Sequence, residues 1–146
     1  RLKEHLKDEP FLLTYGDGVS DINIKDLVQF HQEHGKLITI SGVHPKAHYG
    51  ELDLEDNLVR SFMEKPQFKQ SWINGGFMVV QPEFLDLIEN DQTVLEREPM
   101  EEAVRREQMM TYQHSGFWQC MDTLRDNKYL NQLWSEQAAP WKIWGN

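Results

Sequence analysis

FLLTYGDGVSDINIKDLVQFHQEHGKLITISGV, residues 11–43, is the stretch that decides the fold. Its first five residues are apolar or prone to strand formation and predict a buried strand. From residue 21 to residue 34, before the helix terminator Gly35, apolar side chains recur at helical spacing, at Ile24, Leu27, Val28 and Phe30. Residues 36–43 are rich in β-branched side chains and predict a second strand. A strand, a helix and a strand form a βαβ unit, which predicts a parallel strand pair with a right-handed crossover.

The same signals extend along the rest of the chain. They predict a loop over 44–53 and strands over 58–64, 71–80 and 109–116. They also predict helices over 82–90, 99–108 and 122–136. Thr123 and Asp126 have the spacing of a capping box at the start of the last helix. A parallel α/β sheet usually contains more strands than these, so we expect the chain to be part of a larger domain.

Composition excludes several classes of protein. The chain has 146 residues, 39% of them hydrophobic, and can bury a sizeable core. Its formal net charge of −9, without a cluster of Lys and Arg among aromatic residues, argues against nucleic acid as a partner. No apolar run is long enough to span a membrane. The lone Cys120 and a charged N-terminal segment without a signal-peptide core predict a cytoplasmic protein.

Asp17 stands between Gly16 and Gly18, directly after the first predicted strand. Ligands of open α/β sheets bind outside the carboxyl ends of the strands, and glycine lets the backbone approach a ligand closely. Asp17 is therefore a candidate metal ligand. The motif alone is equally consistent with a turn, in which Asp and Gly are common.

Two further motifs offer polar groups to a ligand. Glu64 and Lys65 end a predicted strand, where a carboxylate can accept from sugar hydroxyl groups and an ammonium group can meet a phosphate. An exposed, charged strand end before a proline is the alternative. Asn74 precedes the pair Gly75–Gly76, which either exposes backbone N–H groups to a ligand or forms a β-bulge.

Asp122 lies just before the predicted C-terminal helix, where Asp is also a favoured N-cap. Like Asp17, it occupies a junction between a strand and a helix. Two carboxylates that converge on one crevice can bind Mg²⁺ together with the phosphates of a substrate. The sequence therefore offers this pair as a candidate metal site.

Taken together, these stretches resemble the sugar-nucleotide pyrophosphorylases, a family of nucleotidyltransferases. The matching segments, in order, are LLTYGDGVSDINI, EKP, WINGGFMV, GFWQCMDTLRD and PWKIW. The Trp-rich pair of segments at the C-terminal end is most similar to the branch that makes CDP-glucose from CTP and α-D-glucose 1-phosphate. The resemblance implies a Rossmann-like fold with a mixed, mostly parallel sheet flanked by helices, of which residues 1–146 form the C-terminal portion.

The resemblance also implies roles for individual residues. Asp17 and Asp122 would hold Mg²⁺, and Lys65 would contact the sugar phosphate. The remaining contacts to the substrate would come from Gly16, Gly50, Glu64, Asn74 and the backbone of Gly75. Members of the family assemble as oligomers, which implies a homo-oligomer for the full-length form.

One feature of the family is missing from the sequence. The glycine-rich loop of the type GGxGTRL and the lysine that follows it do not occur in residues 1–146. Two alternatives therefore stay open, namely a non-catalytic fragment that binds a sugar phosphate and forms oligomers, and a metal-dependent glycosyltransferase-like domain. The latter also places acids after a strand, although here the acids are spaced as Asp17 and Asp21.

Overall fold

The computed structural model of the chain describes residues 2–45, 51–63 and 72–144. Three α-helices occur in these ranges, namely α1 (Ile24–His34), α2 (Glu98–Arg105) and α3 (Leu124–Ser135), with short 3₁₀ helices at Lys3–His5 and Pro82–Leu87. The strands are β1 (Phe11–Thr14), β2 (Gly18–Ser20), β3 (Ile38–Val43), β4 (Glu51–Glu55), β5 (Leu58–Met63), β6 (Ile73–Val80), β7 (Met109–Gln113) and β8 (Trp118–Cys120). In the part of the chain that the structure describes, none of the helices has the length and apolarity needed to cross a membrane.

A four-stranded sheet in the order β1-β6-β3-β7 forms the centre of the fold. β6 pairs antiparallel with both β1 and β3, whereas β7 pairs parallel with β3. The predicted mixed α/β architecture is confirmed, but the prediction that the sheet is mostly parallel is wrong among these pairings. β1 and β3 run in the same direction, as the βαβ pattern indicates, yet they are not neighbours because β6 lies between them.

The core lies on both faces of β6, because successive side chains of a strand point to opposite faces. On one face Met78 and Val80 pack with the 3₁₀ helix over Pro82–Leu87 and with α2, in a cluster that contains Ile38, Phe84, Met100 and Ala103. On the other face Val79 packs against Leu27 of α1 and against Ile22. The sheet is therefore a middle layer between α1 and the pair formed by α2 and the 3₁₀ helix.

The first predicted strand is present, but it is less buried than expected. β1 alternates between half-buried and exposed side chains, and Leu12 is 55% exposed. β1 pairs only with β6 among the described residues, and it lies at the edge of the sheet. The prediction of a fully buried strand is wrong for this reason.

Local side-chain signals set the helix ends. Gly35 and the capping box of α3 agree with the sequence prediction, whereas the Asn23 cap was not predicted. Asn23 caps α1 by accepting from the backbone N–H groups of Lys25 and Asp26, and Gly35 ends the helix with a φ of 62°. Thr123 and Asp126 form the predicted capping box of α3. Pro82 starts a short 3₁₀ helix rather than the longer helix predicted over 82–90.

Two antiparallel ribbons were not predicted. β4 pairs with β5, and residues 51–53, which were predicted to be loop, belong to β4. β2 pairs with β8, and each of these strands is three residues long. Strands this short give too few alternations for a periodic pattern to be recognised.

The C-terminal segment packs only partly on the body of the molecule. The ring of Trp141 lies 5.5 Å from that of Phe117, measured between centroids. Nζ of Lys142 lies 5.9 Å from the centroid of the Trp134 ring, at the end of α3. Ile143 and Trp144 are exposed.

Candidate active site

The β2–β8 ribbon brings the segments that contain Asp17 and Asp122 side by side. Gly18 is paired with Cys120, and beyond this pair the backbone N–H of Met121 donates to the carbonyl oxygen of Asp17 at 2.8 Å. Both aspartates are exposed to solvent. Two acids that are distant in the sequence therefore lie at the same end of one ribbon, where they are accessible to a cation and to a charged substrate.

The backbone of the Gly-Asp-Gly stretch does not adopt a left-handed turn. A turn of types I′, II or II′ places residues at positive φ, but Gly16, Asp17 and Gly18 all avoid the left-handed region. A Cβ added to Gly16 would meet no atom within 4 Å. Neither a left-handed backbone conformation nor packing within the described residues requires glycine at position 16. A role for Gly16 in binding a ligand stays a prediction.

Asp122 is not the N-cap of α3. The N-cap is Thr123, whose side chain accepts from the backbone N–H of Asp126. The capping explanation for Asp122 is therefore wrong, and its exposed carboxylate has no part in starting the helix. This outcome favours the ligand interpretation over the structural alternative that the sequence left open.

Cys120 supports the Asp122 carboxylate from the neighbouring strand. Its Sγ donates to Oδ2 of Asp122 at 3.2 Å. Burial, the hydrogen bond to Asp122 and the charge of Asp122 together raise the pKa of Cys120 to about 11, with burial the largest cause. The thiol consequently stays protonated at neutral pH and acts as a hydrogen-bond donor rather than as a competing thiolate ligand.

Buried Asp126 ties the start of α3 to β8. Its Oδ2 accepts from the backbone N–H and the hydroxyl group of Thr123 at 3.0 and 2.7 Å, and its Oδ1 accepts from Nε2 of Gln119 at 3.2 Å. Gln119 is itself buried in β8. The segment between β8 and α3, which carries Asp122, is therefore anchored at both ends.

Tyr15 connects the Gly-Asp-Gly stretch to β6. Its hydroxyl group donates to Oε1 of Glu96 at 2.6 Å and accepts from Nδ2 of Asn74 at 3.0 Å. Burial, as the largest cause, and the contact with Glu96 together raise the pKa of Tyr15 to about 12. The phenol is therefore a stable donor at neutral pH.

The pair Gly75–Gly76 lies in a β-bulge of β6, as one of the two sequence interpretations proposed. The register with β3 shifts between Ile40 and Gly42, and Gly76 has a φ of 78°. A Cβ on Gly76 would lie 2.6 Å from Cδ2 of Tyr15. The bulge thus lets the Tyr15 ring pack directly against the backbone of β6.

The carbonyl oxygen of Gly75 accepts from Nε1 of Trp118 at 2.8 Å. Gly75 is buried, and a Cβ there would lie 2.7 Å from Oγ of Ser41 and 2.8 Å from Cγ1 of Val43. The carbonyl group is therefore already used within the fold. A role for the backbone of Gly75 in binding a sugar stays a prediction.

An open cavity of about 490 Å³ borders this group of residues. It is lined by Tyr15, Gly16, Asp17 and Glu96. Cavities of roughly 300–1,000 Å³ are usual for small-molecule sites. Asp17 borders an open depression of the surface rather than an enclosed pocket.

The donor set suits a hard divalent cation that shares its ligands with a substrate. Within the described residues, no group of three or more His, Cys, Asp and Glu side chains is arranged to hold a metal alone. Mg²⁺ is commonly bound by one or two carboxylates, with water and substrate phosphates completing the octahedron. Asp17 and Asp122 fit that pattern, because both are exposed carboxylates on neighbouring segments.

Three of the predicted site residues lie outside the described part of the chain, namely Gly50, Glu64 and Lys65. β5 ends at Met63, directly before Glu64. The roles suggested for these three residues stay predictions.

The sequence pattern did not single out three residues that the structure brings to the site, which are Tyr15, Glu96 and Trp118. Tyr15 was assigned only to the end of the first strand, and Trp118 contributed only to a Trp-rich segment. Glu96 contacts Tyr15 across 81 positions of sequence. Local pattern carries no signal for a contact of that separation, although an aromatic residue beside Gly-Asp-Gly could have marked Tyr15.

Comparison with known proteins gives a family and a fold. Residues 2–130 match the family model described as nucleotidyl transferase. The crystal structure of HddC from Yersinia pseudotuberculosis superposes with a TM-score of 0.62 at 16% identity, over 91% of this chain and 59% of that one. At this identity the similarity concerns the fold, which agrees with the mixed α/β architecture described above.

Two named relatives extend the sequence comparison. Glucose-1-phosphate cytidylyltransferase from Salmonella typhi is 48% identical over 145 residues, which are 99% of this chain and 56% of that protein. The catalytic subunit beta of mannose-1-phosphate guanylyltransferase from Drosophila melanogaster is 34% identical over 129 residues, which are 86% of this chain and 34% of that protein. The chain thus spans about half the length of the relative from Salmonella typhi.

Proposed function

Because this chain belongs to the nucleotidyl transferase family, we propose that it forms the metal-binding and sugar-binding side of a cytidylyltransferase active site. The reaction transfers the cytidylyl group of CTP to α-D-glucose 1-phosphate and releases pyrophosphate. Residues 1–146 are then the C-terminal portion of one nucleotidyltransferase domain. The same proposal includes a cytoplasmic location, in keeping with the lone Cys120.

The observation that carries this proposal is the contact between the segments of Asp17 and Asp122. The hydrogen bond from the backbone N–H of Met121 to the carbonyl oxygen of Asp17 places the segments of two exposed acids at one end of the β2–β8 ribbon. A helix cap and a left-handed turn do not account for the two acids, since the cap is Thr123 and residues 16–18 have no positive φ. A shared divalent cation accounts for both.

The choice of substrates is supported by the relatives. The protein named glucose-1-phosphate cytidylyltransferase is 48% identical to this chain, whereas the relative named for mannose 1-phosphate and a guanylyl group is 34% identical. CTP and glucose 1-phosphate are therefore the substrates to test first. Because the chain spans 56% of the former relative, the proposed activity is that of the complete polypeptide that contains it.

In the proposed reaction an oxygen of the sugar phosphate attacks the α-phosphorus of CTP, and the bond from that phosphorus to the pyrophosphate group breaks. The nucleophile is already anionic at neutral pH, so no general base is required. Bound Mg²⁺ would neutralise the charge on the phosphates during the transfer. Asp17 and Asp122 would hold that ion, Lys65 would pair with the sugar phosphate, and Glu64 and Asn74 would bind sugar hydroxyl groups.

The activity is tested by mixing the complete polypeptide with Mg²⁺, glucose 1-phosphate and each nucleoside triphosphate in turn, and measuring pyrophosphate release. Release that depends on both CTP and glucose 1-phosphate supports the proposal. Release with another nucleotide only would overturn the choice of CTP. Sugar transfer from an intact nucleotide sugar, without pyrophosphate release, would instead identify a glycosyltransferase.

The metal site is tested by Asp17→Asn and Asp122→Asn, which keep the side-chain shape and remove the charge. We expect each variant to lower turnover at least about 100-fold, since metal ions contribute several kcal/mol to phosphoryl-group transfer. The exposed Asp8 provides a matched control, and Asp8→Asn should leave turnover unchanged. Turnover by both site variants equal to that of the parent at saturating Mg²⁺ would exclude the two acids from the site.

A second readout does not depend on activity. Mn²⁺ added to the ¹⁵N-labelled chain should broaden the backbone amide signals of residues near 17 and 122 in NMR spectra, and Mg²⁺ should compete. Asp17→Asn should weaken the broadening at both segments together if the ion is shared. Broadening at only one of the two segments would contradict a shared ion.

A non-catalytic role is the second candidate, and the share of the relatives' length that the chain covers favours it for the 146-residue chain alone. In that case the chain binds glucose 1-phosphate but releases no pyrophosphate with any nucleotide.

The assembly state is proposed to be a homo-oligomer, whichever of the two candidate functions is correct. The exposed side chains of Trp134, Ile143 and Trp144 provide apolar surface for such an assembly. Sedimentation velocity measures the assembly state directly.

A further inference from the structure

Tyr15 lies at the centre of a chain of hydrogen bonds that joins three separate elements of the fold. It donates to Oε1 of Glu96 at 2.6 Å and accepts from Nδ2 of Asn74 at 3.0 Å. Oδ1 of Asn74 in turn accepts from the backbone N–H of Gly76 at 2.9 Å. The chain of bonds runs from the segment before α2, through the residue after β1, to the bulge in β6.

The chemistry of the donors and acceptors permits one orientation of the Asn74 amide. An ionised carboxylate only accepts, so the Tyr15 hydroxyl group must donate to Glu96 and its oxygen is left to accept. The NH₂ group of Asn74 must therefore face Tyr15. The N–H of Gly76 requires the oxygen of the same amide to face the bulge, so both contacts select the same orientation.

Packing holds the Tyr15 ring where this arrangement needs it. The ring lies against the backbone of Gly76, with room for no side chain at that position. The backbone N–H of Tyr15 also donates to the carbonyl oxygen of Gly76 at 2.9 Å. With the ring fixed, the remaining freedom is the direction of the hydroxyl hydrogen, and Glu96 determines it.

The fixed amide leaves a defined pair of groups for a ligand. One hydrogen on Nδ2 and one lone pair on Oδ1 of Asn74 remain after the contacts to Tyr15 and Gly76 are counted. A donor beside an acceptor is complementary to sugar hydroxyl groups, which both donate and accept. Tyr15 also lines the open cavity that contains Asp17, next to the candidate metal site.

We propose that Glu96 is a positioning residue that acts through Tyr15 to hold the Asn74 amide in the orientation that binds a sugar hydroxyl group. The inference rests on the proposed function, since it assigns the bound hydroxyl group to glucose 1-phosphate. Glu96 itself contacts no substrate in this arrangement. Its removal changes recognition of the sugar and leaves the binding of the nucleotide unchanged.

The hydrogen-bonded chain is tested first by NMR on the 146-residue chain, without any substrate. The side-chain amide protons of Asn74 should shift and exchange faster with water in Glu96→Ala and in Tyr15→Phe. Glu96→Gln should preserve the parent signals, because its amide oxygen can still accept from Tyr15. Parent-like Asn74 signals in Glu96→Ala would overturn the inference.

The consequence for the sugar is tested by calorimetric titration of the same chain with glucose 1-phosphate. We expect binding about tenfold weaker in Glu96→Ala and restored to within about twofold in Glu96→Gln. In the complete polypeptide, KM for glucose 1-phosphate should rise by the same factor, while KM for CTP and kcat stay constant. Equal losses for both substrates, or no loss at all, would overturn the positioning role.

Glu98 supplies the matched control, since it is also an exposed acid, two residues along at the start of α2. Glu98→Ala should change neither the Asn74 amide signals nor the affinity for glucose 1-phosphate. A complete polypeptide that binds no glucose 1-phosphate would overturn the proposed function and the sugar role of Glu96 with it. The Asn74 signals distinguish that outcome, because they report the hydrogen-bonded chain without substrate.

Discussion

The indole Nε1–H of Trp118 donates to the carbonyl oxygen of Gly75 at 2.8 Å, across 43 positions of sequence. This bond joins β8, which leads into Asp122, to the bulge of β6, which holds Asn74. The candidate metal ligands and the candidate sugar ligand are thus connected through one contact. Movement of the ribbon relative to the sheet would alter both.

Trp118→Phe should destabilise the fold by about 1–3 kcal/mol, because it leaves the carbonyl group of buried Gly75 without its donor. Urea unfolding followed by circular dichroism measures the free energy of unfolding. Trp134→Phe is the control, because the indole of Trp134 is exposed at the end of α3. A loss of stability in the control equal to that in Trp118→Phe would show that the bond to Gly75 contributes nothing.

Substitution by alanine should lower the free energy of unfolding at Gly75 but not at Gly16. Gly75→Ala places a Cβ within 2.7 Å of Oγ of Ser41 and should destabilise the fold by about 1–3 kcal/mol. Gly16→Ala meets no atom within 4 Å and should leave the free energy of unfolding unchanged. If a ligand occupies the space beside Gly16, the same variant should weaken glucose 1-phosphate or metal binding. Unchanged binding in Gly16→Ala would leave Gly16 outside the site.

Sequence pattern was sufficient where the determinants are local. Gly35 ends α1 as predicted, because a left-handed terminator acts within one helical turn. The capping box of Thr123 and Asp126 was recognisable for the same reason. Local chemistry therefore predicted helix ends better than it predicted strand partners.

The order of the strands required information that the pattern lacks. β6 lies between β1 and β3, and nothing in the sequence of these strands specifies that neighbour. A βαβ pattern predicts the direction of its two strands, which is correct here, but not whether a third strand separates them. Register and order depend on pairing between distant segments.

The residues of the candidate site also differ in whether local sequence could reveal them. Asp17 and Asp122 could be selected as candidates from the sequence because their residue types and their positions near strand ends are visible locally. Tyr15 and Glu96 were missed because their roles follow from a contact that links 81 positions. The two groups of residues also differ in their proposed roles, since the first would bind the metal directly and the second would position a sugar ligand.

Stability should depend on pH through a buried cluster at the other end of the sheet from the candidate site. Nδ1 of His31 and Nε2 of His34 both contact Oγ1 of Thr39, at 2.8 and 2.7 Å. Nε2 of His31 faces the amide of Gln81, and Nδ1 of His34 accepts from the backbone N–H of Lys36. Each ring thus uses one nitrogen as an acceptor, which is possible only while the imidazole is neutral.

The environment of this cluster disfavours protonation. Burial lowers the pKa of His31 from its ordinary value of 6.5, and the neighbouring His34 lowers it further. Burial likewise lowers the pKa of His34, with a contribution from the Lys36 ammonium group. Below pH 6.5 the unfolded chain therefore binds protons that the folded chain does not.

We expect full stability above pH 6.5 and a progressive loss as the pH falls below 6.5 toward the lowered pKa values of the folded state. Each histidine contributes a slope of at most about 1.4 kcal/mol per pH unit. Urea unfolding between pH 5 and pH 7.5 measures the slope. His34→Gln should reduce it, whereas His5→Gln, at an exposed position, should not. Identical slopes in the parent and in His34→Gln would contradict the assignment.

Cys120 should react slowly with alkylating reagents, because the thiolate is the reactive form and burial, with help from Asp122, raises the pKa of Cys120 to about 11. Asp122→Asn removes the charge beside the thiol, so the rate of iodoacetamide alkylation at pH 8 in EDTA should rise several-fold. The rate should stay below that of an unfolded chain, since burial remains. Mass spectrometry gives an unambiguous readout because Cys120 is the single cysteine in the sequence. Asp8→Asn, which alters an exposed acid elsewhere, should react like the parent, and an equally slow Asp122→Asn would show that Asp122 does not govern the thiol.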